Sequence, residues 1–181
     1  MMLNNLLIYR LMIFNILCAL AVGWAWQRGF VGDMYLNDAS FMTYAATALF
    51  AVGLVSTFGR AWKVSSLLNM LKRRRHISLN GHKLIEKAAH LDDIGVLIAL
   101  AGLVGTAIGV VMMLHSFDIG SLTDAARVEH TASMLLNGVG TAFRSTIVAT
   151  FALGVHLVNV RMLKTATVML VEDAKGLSVY E

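Results

Sequence analysis

Long runs of apolar residues alternate with shorter polar segments along the chain. The four runs cover residues 3–26, 41–59, 94–114 and 139–160. Each is close to the roughly 20 apolar residues that a helix needs to cross a bilayer core of about 30 Å. The pattern therefore predicts an all-α membrane protein, with four transmembrane helices in a single membrane domain over residues 1–181.

Helical spacing of apolar residues continues beyond the second run and resumes before the third. Leu67 and Leu71 follow the second run, and Leu84 and Leu91 precede the third, at helical intervals. A break is expected at residues 78–81, where Asn-Gly favours a turn. These signals predict a short helical hairpin over residues 60–93 and a helix over residues 161–178 that continues the fourth run.

Lysine and arginine are unevenly distributed among the polar segments. Residues 60–93 are strongly basic, whereas residues 27–40 and 115–138 are mildly acidic. Because positively charged loops stay on the cytoplasmic side, the hairpin is predicted to be cytoplasmic. Four spans then place both termini in the cytoplasm as well.

Composition narrows the classes of function. The chain is 57% hydrophobic and 14% charged, with a mean hydropathy of +0.70 and one cysteine. One cysteine excludes a disulfide framework within the chain. With so few polar groups left for catalysis, the sequence predicts that the chain is not an enzyme, and no cofactor or metal is expected.

The densest positive charge is a basic patch in the predicted hairpin. It consists of Lys72, Arg73, Arg74 and Arg75. One interpretation is that the patch only fixes the topology. The other is that it binds anionic lipid headgroups or an acidic partner, since each charge near a membrane surface contributes about 1 kcal/mol.

Small and polar residues distinguish the last two runs from the first two. Glycines that would let two helices approach closely are Gly102, Gly105, Gly109, Gly138 and Gly140. The third run also carries Thr106. The fourth carries a polar series of Thr141, Arg144, Ser145, Thr146 and Thr150. These two helices are therefore expected to face protein more than lipid.

Two segments resemble a known family. Residues 102–117, GLVGTAIGVVMMLHSF, resemble the GLLGTVxGxxxxF segment of the MotA/TolQ/ExbB proton-channel family, and residues 138–150, GVGTAFRSTIVAT, resemble its GIxxALxxTAxGL segment. The resemblance covers roughly residues 91–161, and both motifs occur in the family's order. It is consistent with the topology predicted from charge.

The resemblance implies an assembly and a mechanism. It implies a ring of this subunit, a homopentamer, in the bacterial inner membrane around the single-span helices of two copies of a MotB/TolR/ExbD-like partner. An aspartate of the partner would carry the proton, and Thr106 and Thr146 would line its path. Ion flow would turn the ring and drive an envelope, transport or motility process. Which process is driven, and whether the ion is H⁺ or Na⁺, stay open.

The residues themselves support one part of this mechanism. No Asp or Glu lies inside any of the four runs, although an intramembrane ionisable group is the usual sign of a proton path. A carrier would have to come from another chain. Hydroxyl groups can support it, because each can donate and accept a hydrogen bond without titrating.

Three further residues are weaker candidates for the ion pathway. Thr141 occupies the position where many relatives carry a glutamate. Arg144 either extends its guanidinium to the membrane surface or pairs with an acid such as Asp118, Asp124 or Glu129, or with the partner. His156 is either a proton relay or a hydrogen-bonded packing residue.

The chain also departs from the family in two other ways. Val155 stands where relatives often have a proline after the second motif, and residues 60–93 are much shorter than the cytoplasmic part of the relatives. The sequence therefore predicts a minimal member, with MotA-like topology and pore motifs closer to TolQ and ExbB. Two alternatives remain, a non-conducting membrane scaffold and a holin-like pore.

Overall fold

A computed structural model describes residues 6–72, 86, 88–115 and 125–178 of the chain, and all regular structure within them is helical. The helices are α1 Leu6–Gln27, α2 Phe30–Leu36, α3 Met42–Lys72, α4 His90–His115 and α5 Ala125–Ser178. All except α2 are long and apolar enough to cross a membrane. The prediction of an all-helical chain with four candidate membrane-spanning helices is confirmed.

The helix that contains the second run is much longer than the run itself. α3 continues beyond the end of the run at Gly59 to Lys72. On the other side of the predicted hairpin, Glu86 is helical, and a turn at Ala88 and Ala89 precedes α4, which begins at His90. Two aspartates in its first turn favour a helix start there, since they complement the positive end of the helix dipole.

Parts of the predicted hairpin lie outside the described residues. These are the expected turn at residues 78–81 and the arginines of the basic patch, Arg73, Arg74 and Arg75. Lys72 ends α3. α5 begins at Ala125, within a segment that was expected to be a loop, and continues to Ser178 as one helix of 54 residues.

The polar segment between the first two runs contains the short helix α2, which the sequence did not predict. It begins after Gly29, whose φ of 81° is in the left-handed region, where glycine has no steric penalty. At seven residues, α2 is too short to produce a periodic pattern that can be distinguished from a loop.

Asp38 and Ser40 cap the start of α3. The carboxylate of Asp38 accepts the backbone N–H of Thr43 at 2.8 Å, and the Ser40 hydroxyl accepts the backbone N–H of Met42 at 3.2 Å. Burial acts to raise the pKa of the Asp38 carboxyl, but hydrogen bonds from Ser40 and Thr43 outweigh it and hold that pKa below 3.8. The cap satisfies N–H groups that the first turn of a helix leaves without partners.

The described chain divides into two compact units, and each contains a segment of all four long helices. The first unit comprises residues 1–21, 51–95 and 154–181, and the second comprises residues 22–50 and 96–153. The first unit has an apolar core. Its buried members include Leu11 of α1, Val64 of α3, Leu91 of α4 and Leu163 of α5.

A pair of asparagine side chains joins α1 to α5 in the first unit. Asn15 donates to the Asn159 side-chain carbonyl at 2.8 Å, and Asn159 donates back to Asn15 at 3.1 Å. Asn159 is buried. In a membrane a polar side chain has few alternative partners, so this reciprocal pair holds the two helices in register.

We expect the two asparagines to be energetically coupled. Replacing either by leucine leaves a polar partner unsatisfied, whereas the double variant Asn15→Leu/Asn159→Leu removes both polar groups together. A double-mutant cycle on the free energy of unfolding in detergent should give a coupling of about 0.6 to 1.7 kcal/mol. Additive effects of the two single substitutions would contradict the assignment.

Candidate membrane site

Small residues bring α4 and α5 into close contact in the second unit. A Cβ atom added at Gly102 would lie 2.7 Å from the Ala149 Cβ, and one added at Gly109 would lie 2.5 Å from the Ala142 backbone nitrogen. One added at Gly138 would lie 2.7 Å from the Met113 nitrogen. No side chain larger than hydrogen fits at these positions without a shift of the backbone.

This glycine seam has a regular spacing on both helices. Its members on α4 are Gly102, Gly105 and Gly109, and those on α5 are Gly138, Ala142, Ser145 and Ala149. Intervals of three and four residues keep each set on one helix face. Gly140 is different, because the nearest atoms to a Cβ at that position belong to the Arg144 guanidinium, at 2.7 Å.

The seam places the hydroxyl groups of Thr106 and Thr146 in contact with each other. Thr106 also lies 3.0 Å from the Gly102 carbonyl oxygen, and Thr146 lies 3.0 Å from the Ala142 carbonyl oxygen. The pair lines a groove of about 230 Å³ together with Ala99, Leu103, Thr150 and Leu153. Thr146 and Thr150 are exposed to it. The structure thus joins the two strongest candidates from the sequence.

The number of hydroxyl protons determines which groups the threonine pair can bind in the groove. Each hydroxyl has one proton and can also accept a hydrogen bond. The bond between the two hydroxyls uses one proton, and a helix carbonyl can take the other. In this state only oxygen lone pairs remain for a third group. The site therefore favours a donor such as water or a protonated carboxyl over an ionised carboxylate.

Thr141 lies on α5 but not in the groove. Its side chain is fully buried, and its hydroxyl oxygen has no hydrogen-bond partner within the described part of the chain. The neighbouring polar residue Ser145 is also buried, and its hydroxyl donates to backbone carbonyls of α5. Burial separates both residues from the exposed face that carries Thr146.

Arg144 forms an ion pair, one of the two alternatives given for it above, but with an acid that was not named there. Its Nε donates to Asp33 of α2 at 3.2 Å, and its guanidinium also lies 3.3 Å from the Asn37 carbonyl oxygen. Asp33 was not among the acids considered as partners, and Asp118 and Asp124 lie outside the described residues. The guanidinium therefore has a counter-charge from the loop between the first two spans.

The pKa of the Asp33 carboxyl lies below 3.8. A hydrogen bond from the Asn37 side chain, at 2.6 Å, makes the largest contribution, followed by the bond from Arg144. Because the folded pKa is lowered, this interaction stabilises the protein above the ordinary aspartate pKa and is lost as the pH falls through the folded value.

His156 belongs to the first unit and is almost completely buried. Its Nε2 lies 2.8 Å from the Leu91 carbonyl oxygen, so this nitrogen carries the proton and donates. The ring also packs on Gly53 of α3, where an added Cβ would lie 2.7 Å from the ring carbon Cε1. The Nδ1 atom has no described partner. These contacts match the packing role that the sequence analysis gave as the alternative to a relay.

The sequence pattern could not predict the pairing of Asp33 with Arg144. Asp33 lies 111 positions from Arg144, and nothing in the local pattern connects them. Among the described residues, no group of three or more His, Cys, Asp and Glu could hold a metal ion.

Comparison of the chain with protein-family models, with curated proteins and with solved structures gave no match. Membership of the MotA/TolQ/ExbB family therefore stays a prediction that depends on the two motifs. The geometry of the site has to be interpreted from its own residues.

We expect Gly109→Ala to destabilise the protein and Gly154→Ala to be tolerated. An alanine Cβ at position 109 meets the Ala142 backbone, whereas nothing lies within 4 Å of one at position 154. Overpacking of this kind typically costs about 1 to 3 kcal/mol. Thermal unfolding in detergent would measure the difference, and equal stabilities for the two variants would contradict the close approach of α4 and α5.

The hydrogen bonds from Asn37 and Arg144 lower the pKa of Asp33 by different amounts, and titration of Asp33 can test which contributes more. Both Asn37→Ala and Arg144→Gln should raise the pKa of Asp33, and Asn37→Ala should raise it further because that bond contributes most. Nuclear magnetic resonance of the Asp33 carboxyl in micelles reports this pKa directly. An unchanged value in Arg144→Gln would show that the ion pair is absent in solution.

Proposed function

We propose that this chain is the pore-ring subunit of an ion-driven membrane motor, acting with a single-span partner whose carboxyl group carries a proton past Thr106 and Thr146. The observation that carries the proposal is the threonine pair, which opens to a groove between two helices packed through glycine. The proposed partner is a MotB/TolR/ExbD-like protein, and the proposed assembly is five copies of this chain around two partner helices.

The hydrogen-bond state of the threonine pair supports a role in proton transfer. Its free lone pairs accept from a neutral carboxylic acid, which has an O–H to donate. When that acid loses its proton, a threonine can turn its hydroxyl from the helix carbonyl to the carboxylate. The same two residues therefore accommodate both protonation states of a passing carboxyl group without becoming charged themselves.

The lining of the groove supports a helix as its occupant. Gly102 and Ala149 pack on each other at the floor of the groove. Ala99 beside them is small and exposed, so the backbone of another helix can come near the hydroxyl groups. Leu103 and Leu153 supply apolar contacts on either side. A narrow, mostly apolar groove with hydroxyls at its centre suits an apolar helix that carries one polar residue.

The distribution of acids supports the need for a partner. The described part of α4 has Asp92 and Asp93 at its start, and Asp92 is paired with Lys164 at 2.6 Å. The pair lies in the first unit and joins α4 to α5. No acid occurs between Ile94 and Leu114, where a carrier would have to pass. A second chain with an acid in its span would supply it.

The available energy is adequate for a mechanical step. One proton that crosses the membrane releases about 2.3 kcal/mol for each 100 mV of potential. Rotation of the proposed ring by one subunit would bring the next threonine pair opposite the partner's carboxyl group. The glycine seam keeps α4 and α5 together during such a step, so that both hydroxyls move as one body.

The proposal predicts that Thr106→Val and Thr146→Val abolish ion flow while the complex still assembles. Valine has the shape of threonine but no hydroxyl, so the groove stays the same size. The matched control is Thr57→Val, since Thr57 also donates to the carbonyl four residues earlier, at 2.7 Å, but is fully buried in the first unit. Thr146→Ser should retain activity because it keeps the hydroxyl.

The experiment uses the tagged full chain, purified from its native membranes together with the polypeptides bound to it. Mass spectrometry should find a polypeptide with one apolar span that contains an acid, and the complex in proteoliposomes should take up protons when a potential is applied. Normal uptake by both valine variants would favour the scaffold alternative. Uptake by the chain alone would favour a simple pore.

A further inference from the structure

A cleft lies in the first unit and is separate from the groove of the threonine site. It has a volume of about 530 Å³ and is lined by α1, α3 and α5. The apolar part of its lining comes from all three helices and includes Leu7, Leu68, Val158, Met162 and Met169. Two arginines also line this mostly apolar cleft.

The charges are Arg10 of α1 and Arg161 of α5, which both line this cleft and are exposed. Within the described residues, neither has an ion pair or a hydrogen bond through its side chain. Arg144 and Lys164, by contrast, each have an aspartate partner. These two arginines thus face the cleft without a counter-charge from the described chain.

The position of Arg10 makes this arrangement costly without a ligand. It is the only charged residue of the first apolar run, and an arginine inside a membrane span is stabilised by an anion or by reaching the headgroup region. α1 and α5 are joined nearby, since Asn15 and Asn159 are bonded to each other. Arg10 lies five residues before Asn15, and Arg161 lies two residues after Asn159.

We propose that this cleft binds an anionic phospholipid, whose phosphate is held by Arg10 and Arg161 and whose acyl chain lies on the apolar lining. Each guanidinium presents a planar set of donors that matches phosphate oxygens, which favours arginine over lysine at such a site. A free phosphate ion would use the charges but not the apolar surface. An acidic peptide would lack the long apolar chain that fits Leu7, Leu68 and Met162.

The test uses the full chain, purified and stripped of lipid in detergent, with phosphatidylglycerol and phosphatidylcholine as probes. Native mass spectrometry counts the lipids bound to each protein. Wild type should bind phosphatidylglycerol in preference to phosphatidylcholine. Arg10→Gln/Arg161→Gln should bind it roughly 30-fold more weakly, which is about 2 kcal/mol at 1.4 kcal/mol per tenfold change.

The matched control removes the same number of charges elsewhere. Arg28→Gln/Lys63→Gln should leave the affinity within twofold, since neither residue lines the cleft. A second variant, Val158→Trp, keeps both arginines and fills the cleft. It should also weaken phosphatidylglycerol binding by several-fold if an acyl chain lies there, and its circular dichroism shows whether it has folded.

Several results would overturn the proposal. One is an equal loss of binding in the control. Another is equal affinity of wild type for the two lipids. Displacement of the lipid by millimolar inorganic phosphate would assign the arginines to a free anion. Unchanged binding in Val158→Trp would place the lipid elsewhere on the protein.

Discussion

Close contact between α4 and α5 is the constraint on which the candidate site depends. Lipid is as apolar as most side chains, so helices in a bilayer associate through packing and hydrogen bonds and gain little from the hydrophobic effect. The glycines at positions 102, 109 and 138 allow contact with backbone atoms of the opposite helix. Thr106 stands four residues after Gly102 and Thr146 stands four residues after Ala142. A larger separation of the two helices would leave each hydroxyl bonded only to its own helix.

The polar residues of the two units differ in exposure and therefore in what they can do. In the second unit the hydroxyls of Thr106 and Thr146 lie at a groove, where a third group can reach them. In the first unit Asn15, Asn159 and His156 have partners from other helices and are partly or completely buried. A buried polar group that is hydrogen-bonded to another helix fixes which helices meet. An exposed one is available for chemistry, which is why exposure separates Thr146 from its neighbours Thr141 and Ser145 more clearly than residue type does.

The long helices and the seam were predictable because each leaves a local signal in the sequence. Apolar runs of membrane length identify the spans, and glycines at intervals of three and four residues mark the contact face. Three features were not predictable from a single sequence. The Arg144 to Asp33 pair joins residues far apart in the chain, and the asparagines are hidden within apolar runs. The early start of α5 at Ala125 falls in a segment whose charged residues made it look like a loop, although it has no helix-breaking proline.

The absence of an acid from the apolar runs and the presence of Arg10 and Arg144 within them are aspects of one electrostatic problem. A charge in a span needs compensation, and this chain compensates Arg144 from its own loop through Asp33. Arg10 has no such partner in the described chain, and the phospholipid proposed for the cleft would supply the compensating anion. In the proposed motor the proton carrier is external for the same reason, because a resident carboxylate near Thr146 would need a fixed cation beside it. Neutral hydroxyls on the proposed ring would let the carrier leave after each step, and the proposed motor requires that release.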